Sequence, residues 1–337
     1  MVDGLRWGVL GGSDIAAVAV IPAIQASRNG RVVALASRDV TRAHALARLL
    51  GVARVFSDYT ALLNDPEVDA VYIPLPNSMH LDWVLLAADA GKAILCEKPL
   101  ALTAKEAARL DEACTARSVP LMEAFMYRFH PQTLRVRELL TEGAIGEVRE
   151  VRSHVSVDIM SPADAKNIRF HSGLGGGTLL DMGCYAVDLA RQVFGETPQR
   201  VRAWSEIDPR FGVDVSMAAI LEFSDGRVAL PSSSFKAGAQ GTYSIVGTKG
   251  VIEVPRGFIP GLGSRVPEAV VIIADADGRR REEHFPPVDH YRLMAEAFAD
   301  AVLHGKAVPY PARESVQNMR VLDAINRASR SGFAEAV

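Results

Sequence analysis

The sequence predicts an α/β domain with a parallel sheet, followed by an α+β domain with a largely antiparallel sheet. Strand and helix patterns alternate in the first part of the chain, strand patterns dominate after about Val148, and two amphipathic helices end the chain. A length of 337 residues also favours two domains over one. We place the first domain at 1–125 and the second at 126–337, and we leave open whether the last helices pack back on the first domain.

The first domain alternates short apolar strands with helices, which is the pattern of βαβ units. The strands are predicted at Trp7–Leu10, Val32–Ala36, Asp69–Ile73 and Ala93–Cys96. The helices are predicted at Ile15–Ala26, Arg42–Leu50, His80–Ala90 and Ala104–Ala116. Thr103 and Glu106 form a capping box, which marks the start of the last of these helices.

The second domain consists mainly of strands separated by turn residues such as Ser224-Asp225-Gly226 and Thr248-Lys249-Gly250, as expected of antiparallel hairpins. The strands are predicted at Glu150–Val157, Val201–Ile207, Ser216–Phe223, Arg227–Phe235, Thr242–Val246, Val251–Val254 and Glu268–Ala274. The helices are predicted at Gly177–Phe194, Tyr291–His304 and Ala312–Ala328.

Composition argues against several classes of function. A net charge of -3 provides no attraction for nucleic acid or anionic lipid. The longest apolar run, Ile15–Ile24, is too short to cross a bilayer. Three cysteines suggest no disulfide framework, and Glu123, His130 and His171 lack the spacing of metal ligands. We expect a cytoplasmic protein without a metal.

A glycine-containing turn joins the first strand to the first helix, where a dinucleotide-binding fingerprint lies in a Rossmann domain. Gly11, Gly12, Ser13, Asp14 and Ile15 form this turn. Ser13 stands at the second glycine position of the fingerprint, and Gly12 is the alternative source of flexibility. An ordinary turn between a strand and a helix is the competing interpretation.

Basic residues follow the second strand, where NAD enzymes usually place a carboxylate for the ribose 2′-OH. Ser37, Arg38 and Arg42 suit the 2′-phosphate of NADP, because they offer a hydroxyl and two guanidinium groups. Asp39 comes one position late and still allows a ribose contact. The pattern therefore favours NADP over NAD, with NAD still open.

Two further segments follow strands of the predicted parallel sheet. Pro74, Leu75, Asn77 and His80 belong to a rigid stretch that starts a helix. Turn chemistry and helix capping are the alternative explanation for Asn77, and His80 fits the helix surface or packing beside the nicotinamide better than proton transfer.

Lys98 follows the other strand, between Glu97 and Pro99. It is placed to point into the ligand crevice and to orient a substrate oxygen, whereas a surface pair of Glu97 with Lys98 is the alternative. The predicted cofactor contacts are Gly11, Gly12, Ser13, Asp14, Ile15, Ser37, Arg38, Arg42, Pro74, Leu75, Asn77, His80, Glu97 and Lys98.

A third segment, Gly175-Gly176-Gly177 and the helix after it, carries the other candidate catalytic groups. Asp181 and Tyr185 are four residues apart, so a regular helix presents both on one face. A carboxylate and a phenol opposite a lysine suit proton transfer in carbonyl and alcohol chemistry. Gly183 suggests close packing against the cofactor or a strand, and Asp188 is interpreted as an ordinary helix residue.

Taken together, these motifs resemble the Gfo/Idh/MocA family of oxidoreductases over essentially the whole chain. The resemblance rests on the glycine turn, Ser37-Arg38, Glu97-Lys98-Pro99, the stretch Glu123 to Pro131, and the segment from Gly175 to Tyr185. It implies a Rossmann domain joined to a domain with an open, mainly antiparallel sheet, whose exposed face builds homodimers or homotetramers.

The resemblance also implies roles for individual residues. Lys98 corresponds to the catalytic lysine, and Asp181 lines the substrate site. Tyr185 stands where many members have histidine, as in the dihydrodiol dehydrogenase, D-xylose dehydrogenase and nucleotide-sugar ketoreductase branches. Tyr185 would then exchange the proton while Lys98 holds the same oxygen. Phe125 and Arg128 are expected near the substrate, and Arg169 either reaches it or forms a surface ion pair.

The predicted function is hydride transfer between nicotinamide C4 and a hydroxyl or carbonyl carbon of a sugar, sugar derivative or cyclic polyol. NADP is the preferred cofactor and NAD the alternative, and no nucleic-acid or membrane partner is expected. Two other classes stay open: an NAD-dependent glycosidase with transient oxidation, and a cofactor-binding sensor. Retention of both Lys98 and Tyr185 favours the redox enzyme.

Overall fold

The computed structural model describes residues 4–160, 166–260 and 269–337. Within these ranges the helices are α1 (Ile21–Gln25), α2 (Val40–Leu50), α3 (Tyr59–Leu63), α4 (His80–Asp89), α5 (Ala104–Ala116), α6 (Pro131–Thr141), α7 (Cys184–Phe194), α8 (His290–Leu303) and α9 (Ala312–Ser331). The strands are β1 (Leu5–Leu10), β2 (Gly30–Ala36), β3 (Arg54–Phe56), β4 (Ala70–Ile73), β5 (Ala93–Cys96), β6 (Leu121–Glu123), β7 (Val148–Ser156), β8 (Arg200–Asp208), β9 (Val213–Glu222), β10 (Val228–Ser234), β11 (Gln240–Gly247), β12 (Gly250–Val254), β13 (Ala269–Asp275), β14 (Arg280–Phe285) and β15 (Glu335–Ala336).

Contacts between residues divide the chain into two compact units. The first unit contains Met1–Met126 and Asp289–Val316, and the second contains Tyr127–Val288 and Gln317–Val337. The helix α8 therefore belongs to the first unit, where it contacts β1 and β2. The long helix α9 begins in the first unit and continues in the second.

The first unit is built on a six-stranded sheet in the order β3-β2-β1-β4-β5-β6. The paired strands all run parallel, and every residue of β4 and β5 is buried. Strands of this kind are buried because helices cover both faces of the sheet. The order reverses between β1 and β4, which is where sheets of this class bind ligands beyond the carboxyl ends of their strands. The predicted Rossmann architecture is confirmed.

The capping box at α5 is also confirmed, with one change in its second bond. The Thr103 hydroxyl accepts a hydrogen bond from Glu106 N at 3.2 Å, as predicted. The Glu106 carboxylate reaches back to Leu102 N at 3.0 Å, one residue before the cap. Two amide groups at the start of the helix are thus satisfied by side chains.

The second unit is built on a nine-stranded sheet in the order β14-β13-β12-β11-β7-β10-β9-β8-β15. Neighbouring strands are antiparallel except β7 and β10, which pair in parallel at its centre. The helix α7 packs on β7 and β10. The predicted hairpins β9–β10 and β11–β12 are confirmed. Glu268, predicted to begin a strand, lies outside the described residues, and β13 begins at Ala269.

Several elements escaped the sequence interpretation, namely β3, α3, β6, α6, β14 and β15. The strands β3 and β6 contain three residues each, which is too short for a period of two to appear. The helix α6 begins at Pro131 behind His130, which is not among the usual N-cap residues. Its start was therefore not recognised.

His130 caps α6 through its ring. Its Nδ1 atom accepts a hydrogen bond from Gln132 N at 3.1 Å, so this nitrogen carries no proton. Pro131 at the first helical position has no N–H to satisfy. The histidine is 1% exposed, and burial lowers its pKa to about 4. The ring is therefore neutral at physiological pH.

We expect His130 to make the protein less stable in mild acid. The unfolded ring takes up a proton near pH 6.5, whereas the folded state resists protonation down to about pH 4. The stabilisation is present above pH 6.5 and is lost as the pH falls toward 4, which amounts to about 2 kcal/mol between pH 7 and pH 5. His130→Asn retains a cap acceptor without a titrating ring.

Urea unfolding at pH 7 and pH 5 measures this difference. His130→Asn should lose about 2 kcal/mol less unfolding free energy than the wild type over this interval. His44→Asn, at an exposed position of α2, serves as the control and should retain the wild-type loss. Equal losses in the wild type and His130→Asn would contradict the assignment.

Candidate functional site

The turn after β1 has the geometry of a phosphate-binding loop. Gly11 has φ +110°, which only glycine adopts readily, and its N–H donates to Ala36 O at 2.8 Å. A Cβ on Gly11 would lie 3.0 Å from the Leu75 side chain. Gly11 is thus the residue of this turn whose backbone conformation requires glycine, whereas Gly12 has no positive φ.

Ser13 has a structural reason to replace glycine in this turn. Its hydroxyl accepts a hydrogen bond from Ala16 N at 3.3 Å, and its carbonyl accepts one from Ala17 N at 3.0 Å. The residues that follow, Ala16–Val20, form a π-helical turn before α1. Asp14 and Ile15 complete the first turn, where amide groups have no carbonyl partner earlier in the helix. An anionic group fits this position.

The end of β2 carries positive side chains. The Asp39 carboxylate accepts a hydrogen bond from Arg42 N at 2.9 Å and so caps α2. The Ser37 hydroxyl accepts one from Asp39 N at 3.2 Å. Arg42 contacts the exposed Asp14 carboxylate at 3.1 Å. Asp39, the acidic residue that allowed a contact with the ribose of NAD, therefore accepts a hydrogen bond from the helix that it caps.

Arg38 lies beside a phenol from α3. Burial raises the pKa of the Tyr59 hydroxyl, and the positive charge of the nearby Arg38 guanidinium opposes this rise. A Cβ on Gly11 would lie 3.6 Å from the same hydroxyl, so Tyr59 adjoins the glycine turn as well. Ser37, Arg38 and Arg42 together offer a donor set that fits the 2′-phosphate of NADP.

Buried polar contacts hold the backbone around Lys98. Tyr72, at the end of β4, donates a hydrogen bond to Glu97 Oε1 at 2.6 Å. The other oxygen of Glu97 accepts from Lys98 N at 3.3 Å. Glu123, at the end of β6, accepts from Leu100 N at 2.8 Å. Glu97 is thus tied into the unit by Tyr72, which the surface-pair alternative did not anticipate.

His80 joins the two predicted cofactor segments of this edge. Its Nδ1 lies 2.9 Å from Pro99 O and its Nε2 lies 2.9 Å from Leu75 O. The ring is fully buried, and burial lowers its pKa. The expectation of a helix-surface position for His80 is therefore wrong. The ring lies between the turn after β4 and the turn after β5, and the single N–H of its neutral form donates to one of the two carbonyl oxygens.

The remaining residues of this edge occupy ordinary positions. Pro74 and Leu75 are buried at the end of β4. Asn77 begins a short 3₁₀ turn and does not cap α4, whose N-cap position is Met79. Phe125 is buried two residues after β6.

In the second unit, Asp181 and Tyr185 lie on successive parts of one irregular helix. Leu179–Gly183 forms a π-helical turn, and α7 follows from Cys184. The prediction assumed a regular helix, so the four-residue spacing spans a wider turn than expected. In each unit a π turn thus follows the glycine residues of a predicted site segment, and π turns are often found at functional sites.

Asp181 forms an ion pair and Tyr185 lies among aromatic rings. Arg169 Nε donates to Asp181 Oδ2 at 2.7 Å, and the Asp181 side chain is 17% exposed. This outcome matches the ion-pair alternative for Arg169, with a site residue as the partner. The Tyr185 ring is 5% exposed, and its centroid lies 6.0 Å from that of Tyr127 and 5.9 Å from that of Phe258.

Asp188 is fully buried, so its interpretation as an ordinary helix residue is wrong. Its carboxylate accepts a hydrogen bond from the Tyr127 hydroxyl at 2.5 Å and one from Arg128 Nε at 2.8 Å. Arg128 Nη2 pairs with its other oxygen. A buried charge of this kind requires such partners. A carboxylate among the apolar residues of α7 was the signal in the sequence.

The described parts of the chain contain no cluster of three metal-ligating side chains. Among the described helices, none is long and apolar enough to span a membrane.

Comparisons with known proteins agree with this geometry. Residues 5–125 match the model of an oxidoreductase family with an NAD-binding Rossmann fold, and residues 133–253 match that of the GFO/IDH/MocA C-terminal domain. The chain belongs to the GFO/IDH/MocA oxidoreductase family. The predicted family, fold class and nicotinamide-dependent oxidoreductase activity are therefore confirmed.

Curated relatives of this GFO/IDH/MocA protein include sugar and diol dehydrogenases. A D-xylose 1-dehydrogenase (NADP(+)) from Haloferax volcanii is 42% identical over 98% of this chain and 99% of its own length. A trans-1,2-dihydrobenzene-1,2-diol dehydrogenase from Xenopus tropicalis is 37% identical over 74% of this chain and 75% of its own length.

A solved structure is similar over nearly the whole chain. It is a 3-ketoreductase from Actinomadura kijaniata in complex with NADP and TDP-benzene. Its TM-score is 0.89 at 32% identity, with coverage of 97% of this chain and 98% of that chain.

Proposed function

We propose that this protein is an NADP-preferring oxidoreductase that interconverts a hydroxyl and a carbonyl group on a sugar, sugar derivative or cyclic polyol. The observation that carries the proposal is the buried network that fixes the Lys98 backbone through Glu97, Glu123 and His80. A lysine held in this way at the carboxyl edge of a Rossmann sheet is suited to hold one substrate oxygen in a fixed place.

Tyr185, Lys98 and Asp181 have separate roles in the proposed reaction. The bound nicotinamide supplies or accepts the hydride at C4. Tyr185 gives its phenolic proton to the oxygen during reduction and takes it back during oxidation. Lys98 donates a hydrogen bond to the same oxygen, and its positive charge favours the phenolate of Tyr185. Asp181, held by Arg169, accepts a hydrogen bond from a neighbouring substrate hydroxyl.

Two other residues complete the proposed site. Phe125 provides apolar surface for the substrate. Arg128 serves the site through Asp188, because this buried carboxylate takes two of its N–H groups and thereby fixes the segment after β6 to α7.

The preference for NADP rests on Ser37, Arg38 and Arg42. The guanidinium groups of Arg38 and Arg42 suit a doubly charged phosphate, whereas the Asp39 carboxylate is occupied as the cap of α2. The named relatives point the same way, since one is an NADP(+) dehydrogenase and another was crystallised with NADP.

The substrate class follows from the names of relatives, which also include a dTDP-3,4-didehydro-2,6-dideoxy-alpha-D-glucose 3-reductase from Saccharopolyspora spinosa, 33% identical over 97% of this chain and 98% of its own length. D-xylose, a dihydrobenzenediol and dTDP-linked keto sugars share adjacent oxygen atoms on a ring or sugar carbon chain. Absorbance of NADPH with a panel of aldoses, inositols, dihydrodiols and keto sugars tests the proposal. Turnover with at least one of them is expected. Hydrolysis of glycosides without net change in NADPH would overturn it in favour of a glycosidase.

We expect Lys98→Ala and Tyr185→Phe to abolish most turnover. Each change removes a group that acts on the reacting oxygen, so kcat should fall about 100-fold or more. The dissociation constant of NADPH, measured by fluorescence titration, should stay within about twofold, because phosphate contacts dominate its binding. Lys105→Ala, exposed on α5, is the control and should behave as the wild type. Normal kcat in either variant would remove that residue from the mechanism.

Arg38→Ala should reduce the preference for NADPH. Loss of one charged hydrogen bond to the 2′-phosphate corresponds to about a 10- to 100-fold fall in the ratio of kcat/KM for NADPH to that for NADH. The value for NADH alone should change little. Arg48→Ala, an exposed arginine on α2, controls for loss of charge. An unchanged ratio in Arg38→Ala would transfer the phosphate contact to another residue.

We further propose that the second unit forms homodimers or homotetramers through the face of its sheet opposite α7. Trp204 of β8 and Ile220 of β9 lie on that face as diagonal neighbours and are 59% and 41% exposed. The alternating residues Met217, Ala219 and Leu221 are buried on the other face. Large exposed apolar side chains on one sheet face are typical of an interface.

Trp204→Glu should weaken this association. Burial of a new charge at the centre of an interface should raise the dimer dissociation constant about 30-fold or more, as measured by sedimentation equilibrium. Leu49→Glu changes an exposed apolar residue of α2 and should leave the assembly unchanged. A wild-type protein that sediments as a monomer at all concentrations would overturn the proposal.

A further inference from the structure

Asp214, near the start of β9, contacts the segment that leads to Asp181. Its Oδ2 atom accepts a hydrogen bond from Leu179 N at 2.6 Å. This amide opens the π turn Leu179–Gly183, which contains Asp181. A side chain from the sheet therefore satisfies an amide group that the helix itself leaves without a partner.

The glycine run is shaped around the same carboxylate. Gly177 has φ +105°, and a Cβ there would lie 2.0 Å from Asp214 Oδ1. Any other residue would displace the carboxylate. The sequence interpretation assigned this glycine run to close backbone approach, and the group that approaches Gly177 is Asp214.

The preceding turn is fixed to the same segment. Gly177 N donates to Arg169 O at 3.0 Å, and a Cβ on Gly176 would lie 2.5 Å from that oxygen. Arg169 in turn donates to Asp181 at 2.7 Å. Asp214 thus sits at one end of a chain of contacts that runs through Gly177 and Arg169 to Asp181.

The position is costly for a carboxylate. Burial raises the pKa of Asp214 to about 6, although the backbone N–H groups oppose that rise. An apolar residue would avoid this cost, so stability of the sheet alone does not explain an aspartate here.

We propose that Asp214 is a positioning residue that holds the π turn so that Asp181 and, one turn later, Tyr185 keep their places. This inference rests on the proposed roles of Asp181 and Tyr185. A residue of β9 would then support the activity by holding other residues in place, although Asp214 itself touches neither substrate nor cofactor.

Two variants of graded effect test the proposal. Asp214→Asn keeps one acceptor oxygen and should lower kcat about tenfold, whereas Asp214→Leu removes both acceptors and should lower it about 100-fold. The dissociation constant of NADPH should stay within about twofold in both. Asp225→Asn changes an exposed aspartate in the β9–β10 turn and should match the wild type.

A double-mutant cycle with Asp181→Asn separates positioning from general support of the fold. If Asp214 acts through Asp181, the tenfold effect of Asp214→Asn should shrink to about twofold or less in the Asp181→Asn background. Full additivity of the two effects on kcat, or an unchanged kcat in Asp214→Leu, would overturn the proposal.

Amide hydrogen exchange tests the proposal in an experiment that needs no substrate. Exchange in Asp214→Leu should become faster at 178–185 and stay unchanged elsewhere in β8 to β12. Equally faster exchange throughout the sheet would mark Asp214 as a general structural residue and overturn the proposal. A wild-type protein without turnover on any sugar or polyol would overturn the proposed function instead, and the exchange result would still decide whether Asp214 holds the turn.

Discussion

The Asp188 carboxylate lies fully buried in α7 and is surrounded by the hydroxyl of Tyr127 and the guanidinium of Arg128. A charge in this environment is tolerated only when its oxygens are hydrogen-bonded, and removal of one partner typically costs about 3–5 kcal/mol. The bonds therefore fix the segment after β6 to the helix that carries Tyr185. The Tyr127 ring completes the contact, because it packs against the Tyr185 ring as well.

Polar groups near Lys98 in the first unit have the same need for hydrogen-bond partners. Glu97 and Glu123 are carboxylates at strand ends, and their hydrogen bonds go to Tyr72 and to the backbone around Lys98. The two ring nitrogens of His80 each lie 2.9 Å from a carbonyl oxygen of a different turn, and the one N–H of the neutral ring donates to one of them. In both units, some side chains are proposed to act on the substrate. Other polar side chains, which have no proposed chemical role, form hydrogen bonds that hold the segments carrying them. Such support is what keeps a catalytic group within the narrow range of geometry that its reaction needs.

Sequence patterns indicated the fold and the residues proposed to react more readily than these supporting contacts. The parallel sheet, the hairpins and Lys98 follow from periodicity, turn residues and motif order, all of which are local signals. The partners of Asp188 and Asp214 are 60 and 35 residues away in the chain. No local pattern encodes such pairs. The sequence does hold the weaker sign that a carboxylate stands among apolar residues, and this sign is informative because an isolated buried charge is so unfavourable.

The side chains of Asp39 and Arg38, which follow β2, bear on the choice between NADP and NAD. A carboxylate after β2 can accept hydrogen bonds from a ribose or from the amides that open α2. Asp39 stands one position late, and its Oδ1 atom accepts from Arg42 N at the start of the helix. Arg38 follows the strand as well, and its guanidinium lies near the Tyr59 hydroxyl. The positive charge of Arg38 favours a negative phosphate there more than an uncharged ribose hydroxyl.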